Sequence, residues 1–256
     1  MRGLRHELAT MTTNATNILG ILFDLGDTLV HFAPVSRWQY LETAAAPVYR
    51  KLETWSYSVP SYPRYLRKLK RALVWAFVRD RIRGLEVQIL PAFEGCHRRM
   101  GIRLTPEHLG ELRRMSIDAL RSMMEVDEAC HEVIHRLHDS GFRLGLVSNT
   151  LFPGESIDQF LQSEDLLSYF PVRIYSSDVH YRKPHRRIFE AALTALGLPA
   201  SRTLFVGDRL DNDIAGPAKV GMKTALFLHD RTGGRSRVRP DYTFKSLTDL
   251  LDIVTR

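Results

Sequence analysis

Short β-rich runs alternate with amphipathic stretches along most of this chain, and no other feature constrains the fold as strongly. Candidate strands fall at 18–23, 143–148, 172–175, 203–206 and 224–228, each a run of β-branched, aromatic and other apolar residues. Around 127–139, 155–168, 185–197 and 211–219 the apolar residues recur at helical spacing instead. A strand, a crossover helix and a further strand build a parallel sheet wrapped by helices.

One long interval breaks the pattern. Residues 31–125 lack β-branched runs and hold 17 Lys+Arg against 9 Asp+Glu, whereas the whole chain of 256 residues has 36 against 29. The basic excess therefore belongs to this interval. Leu66, Leu69, Leu73, Ala76 and Phe77 recur at helical spacing beside Arg67, Lys68, Lys70 and Arg71, which predicts a mostly helical insert. Its basic run at 64–83 reads as a solvated helix face, with Tyr65, Trp75 and Phe77 packing on the apolar side. The sharper reading is attraction of polyanionic substrates, a nucleic acid or a membrane surface. Elsewhere "RTGGRSRVRP" at 231–240 reads as a mobile loop.

A chain 44% hydrophobic and 25% charged can bury a substantial core. No apolar run approaches the roughly 18 residues that span a bilayer, and residues 1–17 read as a polar tail without the apolar centre of a secretion signal. Cys96 and Cys130 lack metal-ligand or disulfide spacing. A cytoplasmic protein, monomer or homodimer, is expected, with no membrane partner; the basic insert leaves a nucleic acid open.

In parallel sheets of this kind ligands collect at the carboxyl ends of the strands. The first strand delivers Asp24 and Asp27, the second Ser148 and Asn149 in "LVSNT", a later segment Lys183 in "YRKP", and the run "FVGDRLDND" Asp208 and Asp213. Carboxylates gathered on one rim repel unless a cation sits between them, and hard oxygen ligands suit Mg²⁺. A lysine and a serine hydroxyl beside them suit a phosphoryl group. Asp27 reads equally as a turn residue or a catalytic one, Asn149 also as a turn cap, and Asp211 as a helix start.

Taken as an ordered set from Asp24 to Asp213, with an insert between the first and second groups, these residues resemble the haloacid dehalogenase-like hydrolase superfamily, chiefly its phosphatases with a helical cap. The resemblance covers nearly the whole chain beyond residue 17. It implies an α/β fold, a Rossmann-like parallel sheet core of residues 18–33 and 126–256 with an inserted α-helical cap domain, 34–125, hinged near Phe32–Pro34 and Glu125–Asp127. It further implies a Mg²⁺-dependent phosphohydrolase of small phosphorylated metabolites. Asp24 matches the nucleophile that forms an aspartyl-phosphate, Ser148 the hydroxyl that binds a phosphoryl oxygen, Lys183 the cation that orients the nucleophile and the transferring group, and Thr28 and Asn149 further substrate-binding positions. Asp24, the Gly26 carbonyl, Asp208 and Asp213 match the metal site.

Gly26 departs from the pattern, in which an aspartate at this position protonates the leaving oxygen and later activates water. The backbone ligand survives and the acid–base carboxylate does not. A cap residue, His31, or a leaving group needing little protonation would have to compensate. Two alternatives follow: a haloacid-type dehalogenase, against which Asp208 and Asp213 argue because that route needs no metal, and a catalytically weak binding or regulatory relative.

Overall fold

The computed structural model describes residues 17–82, 87, 89–150 and 153–255. The expected tail, apart from Asn17, and Arg83 of the basic run lie outside the described residues. The chain forms β1 (Gly20–Phe23) and a short β2 (Val30–Phe32). Helices α1 (Arg37–Thr54), α2 (Tyr62–Ile82), α3 (Ile89–Arg99) and α4 (Pro106–Arg121) follow, and β3 (Met124–Val126) then pairs antiparallel with β2. Next come α5 (Cys130–Asp139), β4 (Arg143–Ser148), α6 (Gly154–Ser163), β5 (Val172–Tyr175), the single turn α7 (Ser176–Val179), α8 (Arg186–Leu196) and β6 (Thr203–Gly207). A π-type turn, Leu210–Ala215, runs into α9 (Gly216–Ala218), followed by β7 (Lys223–Phe227), β8 (Tyr242–Phe244) and α10 (Asp249–Thr255).

The six-stranded sheet has the order β5-β4-β1-β6-β7-β8 with every pairing parallel. Alternation along β1 feeds two apolar layers: Ile21 and Phe23 join α5, α6 and α10 on one face, and Leu22 joins α8 on the other. The α/β expectation therefore holds, with strand ends shifted by a residue or two. The sixth strand β8, the β2–β3 pair and α10 were not foreseen, and the helical pattern at 211–219 resolves into the π-type turn and α9.

The basic interval is helical for local reasons that the residues supply. Ser36 and Gln39 form a reciprocal capping box at the start of α1, and Thr105 Oγ1 accepts the His108 N–H ahead of Pro106, the first residue of α4. These helices share their own apolar core around Val48, Leu52, Tyr65, Leu69 and Leu112. Tyr65 packs there as expected, but Trp75 is 72% exposed. The buried stripe of α2 runs through Tyr65, Leu69, Leu73 and Ala76 to Asp80, and its apolar residues, Phe77 among them at 36% exposed, wrap further round the helix than that stripe. Cys96 and Cys130 are buried free thiols, and burial pushes Cys130 up to about 12. Among the described residues no helix is long and apolar enough to cross a membrane.

Candidate active site

The carboxyl ends of β1, β4 and β6 carry Asp24, Ser148 and, one residue beyond β6, Asp208; all three are buried. Because β1 lies between β4 and β6, these side chains occupy adjacent positions on one rim. The chain leaves β1 in a tight loop closed by bonds from the Leu29 and Val30 N–H groups to Leu25 O, 2.9 Å each, with Asp27 in the left-handed region at φ 56°. Thr28 lies fully buried in this loop and its Oγ1 has no hydrogen-bond partner.

Lys183 is the hub of the site. Its Nζ lies 2.8 Å from Asp24 Oδ1 and 2.7 Å from Asp213 Oδ1, with its side chain 1% exposed. Asn149 fixes the lysine backbone: Asn149 Oδ1 accepts the Lys183 N–H at 2.7 Å and its Nδ2 donates to Lys183 O at 3.1 Å. Both ends of that amide are thus engaged in positioning the lysine. Asp213 Oδ2 accepts the Arg209 N–H at 3.0 Å. The π-type turn brings Asp213 so close to β6 that a Cβ at Gly207 would stand 2.5 Å from Asp213 Cβ. Glycine at 207 is the condition for that approach.

Asp24, Asp208 and Asp213 each offer a ligand oxygen, and these atoms lie within 4.8 Å of one another. Three buried carboxylates thus face one ammonium, and the imbalance registers in the protonation of Asp208 and Asp213. Burial, reinforced by Asp24 and Asp213, pushes Asp208 up to about 8. Burial likewise raises Asp213 against the pull of Lys183. Burial alone would lower Lys183, but Asp213 and Asp24 outweigh it and hold its pKa above the usual lysine value. A divalent cation relieves this crowding, so the donor set fits Mg²⁺.

Gly26 sits in this loop, and a Cβ there would stand 2.9 Å from Phe32 Cε2. The side-chain space at position 26 is therefore filled by an aromatic ring. Asp27 pairs with Arg231, 2.9 Å away, and Arg231 also donates to Phe32 O at 2.8 Å. His31 reaches away to Asp127 at 2.8 Å.

The loop after β7, whose segment 231–240 the sequence predicts to be mobile, is tied to the rim at Gly233: Leu210 N–H donates to Gly233 O at 2.9 Å and Gly233 N–H to Asp208 O at 3.3 Å. It brings His229 Nε2 to 3.8 Å from Asp208 Oδ2, and burial lowers the His229 pKa. His229 and Arg231 are the site neighbours that sequence reasoning missed. The signal was present, since His229 follows the carboxyl end of a recognised strand.

Comparison with known proteins gives a consistent picture. The family model described as "Hydrolase: haloacid dehalogenase-like hydrolase" matches residues 18–221. A pyrophosphatase PpaX from Halalkalibacterium halodurans is 33% identical over 159 residues, which are 59% of this chain and 72% of the relative. A glyceraldehyde 3-phosphate phosphatase from Pyrococcus abyssi is 37% identical over 100 residues, 39% of this chain and 41% of the relative. Among solved structures, a 2-haloacid dehalogenase from Pseudomonas syringae pv. Tomato superposes with a TM-score of 0.65 at 20% identity, covering 92% of this chain and 97% of that one. A HAD phosphatase from Thermococcus onnurineus gives 0.60 at 22% identity with the same coverages. At these identities the structural likeness speaks for the fold.

Proposed function

The chain belongs to the haloacid dehalogenase-like hydrolases, and on that premise we propose that it is a Mg²⁺-dependent phosphohydrolase working on a small phosphorylated substrate through a phosphoryl-aspartate intermediate. The observation that carries this reading is the buried cluster of Asp24, Lys183 and Asp213 beside Asp208. Such a cluster is costly to bury, and it meets the charge of a phosphoryl group and a divalent ion together. The phosphatase names of the two relatives agree with it.

Asp24 Oδ1 is held by the Leu25 N–H at 2.7 Å and by Lys183, which leaves Oδ2 to attack phosphorus. An Oδ2–P bond forms while the bond from phosphorus to the leaving oxygen breaks, and the electron pair departs with that oxygen. Water then attacks phosphorus, the Asp24–P bond breaks, and phosphate is released with the carboxylate restored. Ser148 and Thr28 donate hydroxyl protons to phosphoryl oxygens. Lys183 keeps the nucleophile oriented, and Asn149 and Asp213 keep Lys183 in place. Asp24, Asp208 and the Gly26 carbonyl are the groups assigned to Mg²⁺, with Asp213 behind them; bound there, the ion neutralises phosphoryl charge. Residues 34–125 are assigned as a cap over the rim, hinged near 32–34 and 125–127.

Phosphate release from 4-nitrophenyl phosphate, with Mg²⁺ or with EDTA, tests the reading. Asp24→Asn is expected to lower the rate by about 10³-fold or more while the thermal melt stays cooperative. Asp208→Ala is expected to raise the Mg²⁺ concentration needed for half-maximal rate. Asp24→Asn activity within tenfold of the parent would remove the nucleophile from the scheme.

A further inference from the structure

A cavity of about 480 Å³ lies between the helices of the basic interval and the sheet layer, and six aromatic rings line it: Phe32, Trp38, Tyr40, Phe77, Phe93 and Phe160. It has the size of a small-molecule site. The polar side chains on its wall are largely engaged elsewhere. Tyr40 and Ser116 donate their hydroxyl protons to Ala33 O at 2.6 Å and Leu112 O at 2.9 Å, an Arg121 N–H donates to Ser163 Oγ at 2.6 Å, and Arg113 pairs with Glu94 while its buried Nε has no partner. Beyond that one guanidinium N–H the wall is apolar, so the surface selects a ligand that is mostly apolar. Val74 and Val78, about half exposed on the same wall, leave it open toward solvent.

The cavity adjoins the reaction centre through one residue. Phe32 lines it and also fills the side-chain space at Gly26, two residues from Asp24. Phe32 is thus the residue at which a group esterified to a phosphoryl oxygen at Asp24 would meet the aromatic surroundings. Among the described residues the wall carries no carboxyl or imidazole, so the cavity offers a departing group no acid, and a group that leaves as a weak base suits it. Aromatic walls and a proton-poor exit converge on the same leaving group, a phenol.

We propose that this cavity receives the ring of an aryl phosphate monoester. Asp24 Oδ2 bonds to phosphorus, the P–O(aryl) bond breaks, and the ring departs as a phenolate that takes its proton from water. The inference rests on the phosphohydrolase reading, and the experiment separates the two. Phenyl and 2-naphthyl phosphates release comparably weak bases but differ in apolar area, while glycerol 3-phosphate has a strongly basic, polar leaving group. For the wild-type protein kcat/KM is expected to exceed that for glycerol 3-phosphate by about 10²-fold or more with either aryl ester, and to favour naphthyl over phenyl through KM. Ala44→Phe, which narrows the cavity, is expected to cut the naphthyl-to-phenyl ratio roughly tenfold; Ser116→Leu does the same if that variant does not fold. Calorimetric titration with 2-naphthol reads the cavity without turnover and should show binding that Ala44→Phe weakens. Hydrolysis of all three esters with no aryl preference, or no uptake of 2-naphthol, overturns the cavity assignment and leaves the phosphohydrolase standing. Hydrolysis of none overturns the parent reading and this one with it.

Discussion

At position 26 the sequence shows a missing carboxylate, and the structure shows what stands in its place. Gly26 is absent from the left-handed backbone positions, so an aspartate is not opposed by backbone conformation; it is opposed by the Phe32 ring, 2.9 Å from the Cβ it would need, which would have to shift. Gly26→Asp alone is therefore expected to cost about 1–3 kcal/mol from overpacking. In Gly26→Asp/Phe32→Ala the clash is gone, and the pair should show positive coupling in a double-mutant cycle of melting. Relative to Phe32→Ala, the double variant should hydrolyse glycerol 3-phosphate about 10²-fold faster and depend less on leaving-group basicity. A folded double variant with unchanged leaving-group dependence would mean that another residue supplies the proton. Asp24, Lys183, Asp208 and Asp213 are legible in the sequence because strand ends and short motifs bring them to notice. The Phe32–Gly26 contact, the Asn149 clamp and the Arg231–Asp27 pair join residues through space, and no local pattern encodes them.

Secondary-structure elements are legible in proportion to their length. β4 and α8 repeat their periods enough to be recognised, whereas β2, β3 and β8 are three residues each and too short to display alternation. The preceding Asp241 reinforces the pairing that holds β8 to β7 at the sheet edge. Its Oδ2 accepts from Thr224 N–H and Oγ1 at 3.0 Å each, and its Oδ1 lies 2.7 Å from Lys223 Nζ. Burial opposes the charge, but the Lys223 and Thr224 bonds outweigh it and hold the Asp241 pKa below the usual carboxylate value. The contribution is thus present above the unfolded-state pKa of about 3.9 and lost as pH falls through the lower folded value. Asp241→Ala is expected to destabilise by about 1 kcal/mol near neutral pH, and thermal melts should show its deficit against the parent shrinking below about pH 4. A deficit constant across that range would assign the effect to packing. Lys223→Met should matter less, because its side chain is half exposed.

At the scale of the molecule, alternation of strands and helices marks the sheet, and its interruption by a basic helical interval marks the insertion. What patterning does not reveal is how the two meet, since the aromatic cavity takes walls from both. The proposed division at 34–125 makes a physical claim about folding. The helices have a core of their own, and β2 and β3 already pair where the interval leaves and returns, with Phe32 opposite Met124 and Ala33 N–H donating to Met123 O at 2.9 Å. Replacing residues 34–122 by Asn-Gly should therefore close β2 and β3 into a hairpin without disturbing the parallel sheet. The shortened protein is expected to melt cooperatively, with less helical circular dichroism, and residues 34–123 expressed alone should melt as a helical unit. Without the helical wall, KM for 2-naphthyl phosphate should rise by roughly tenfold or more and the naphthyl-to-phenyl preference should vanish. Loss of a cooperative transition in both pieces would make the helices and the sheet one folding unit, and the hinges assigned near 32–34 and 125–127 would then have to be abandoned.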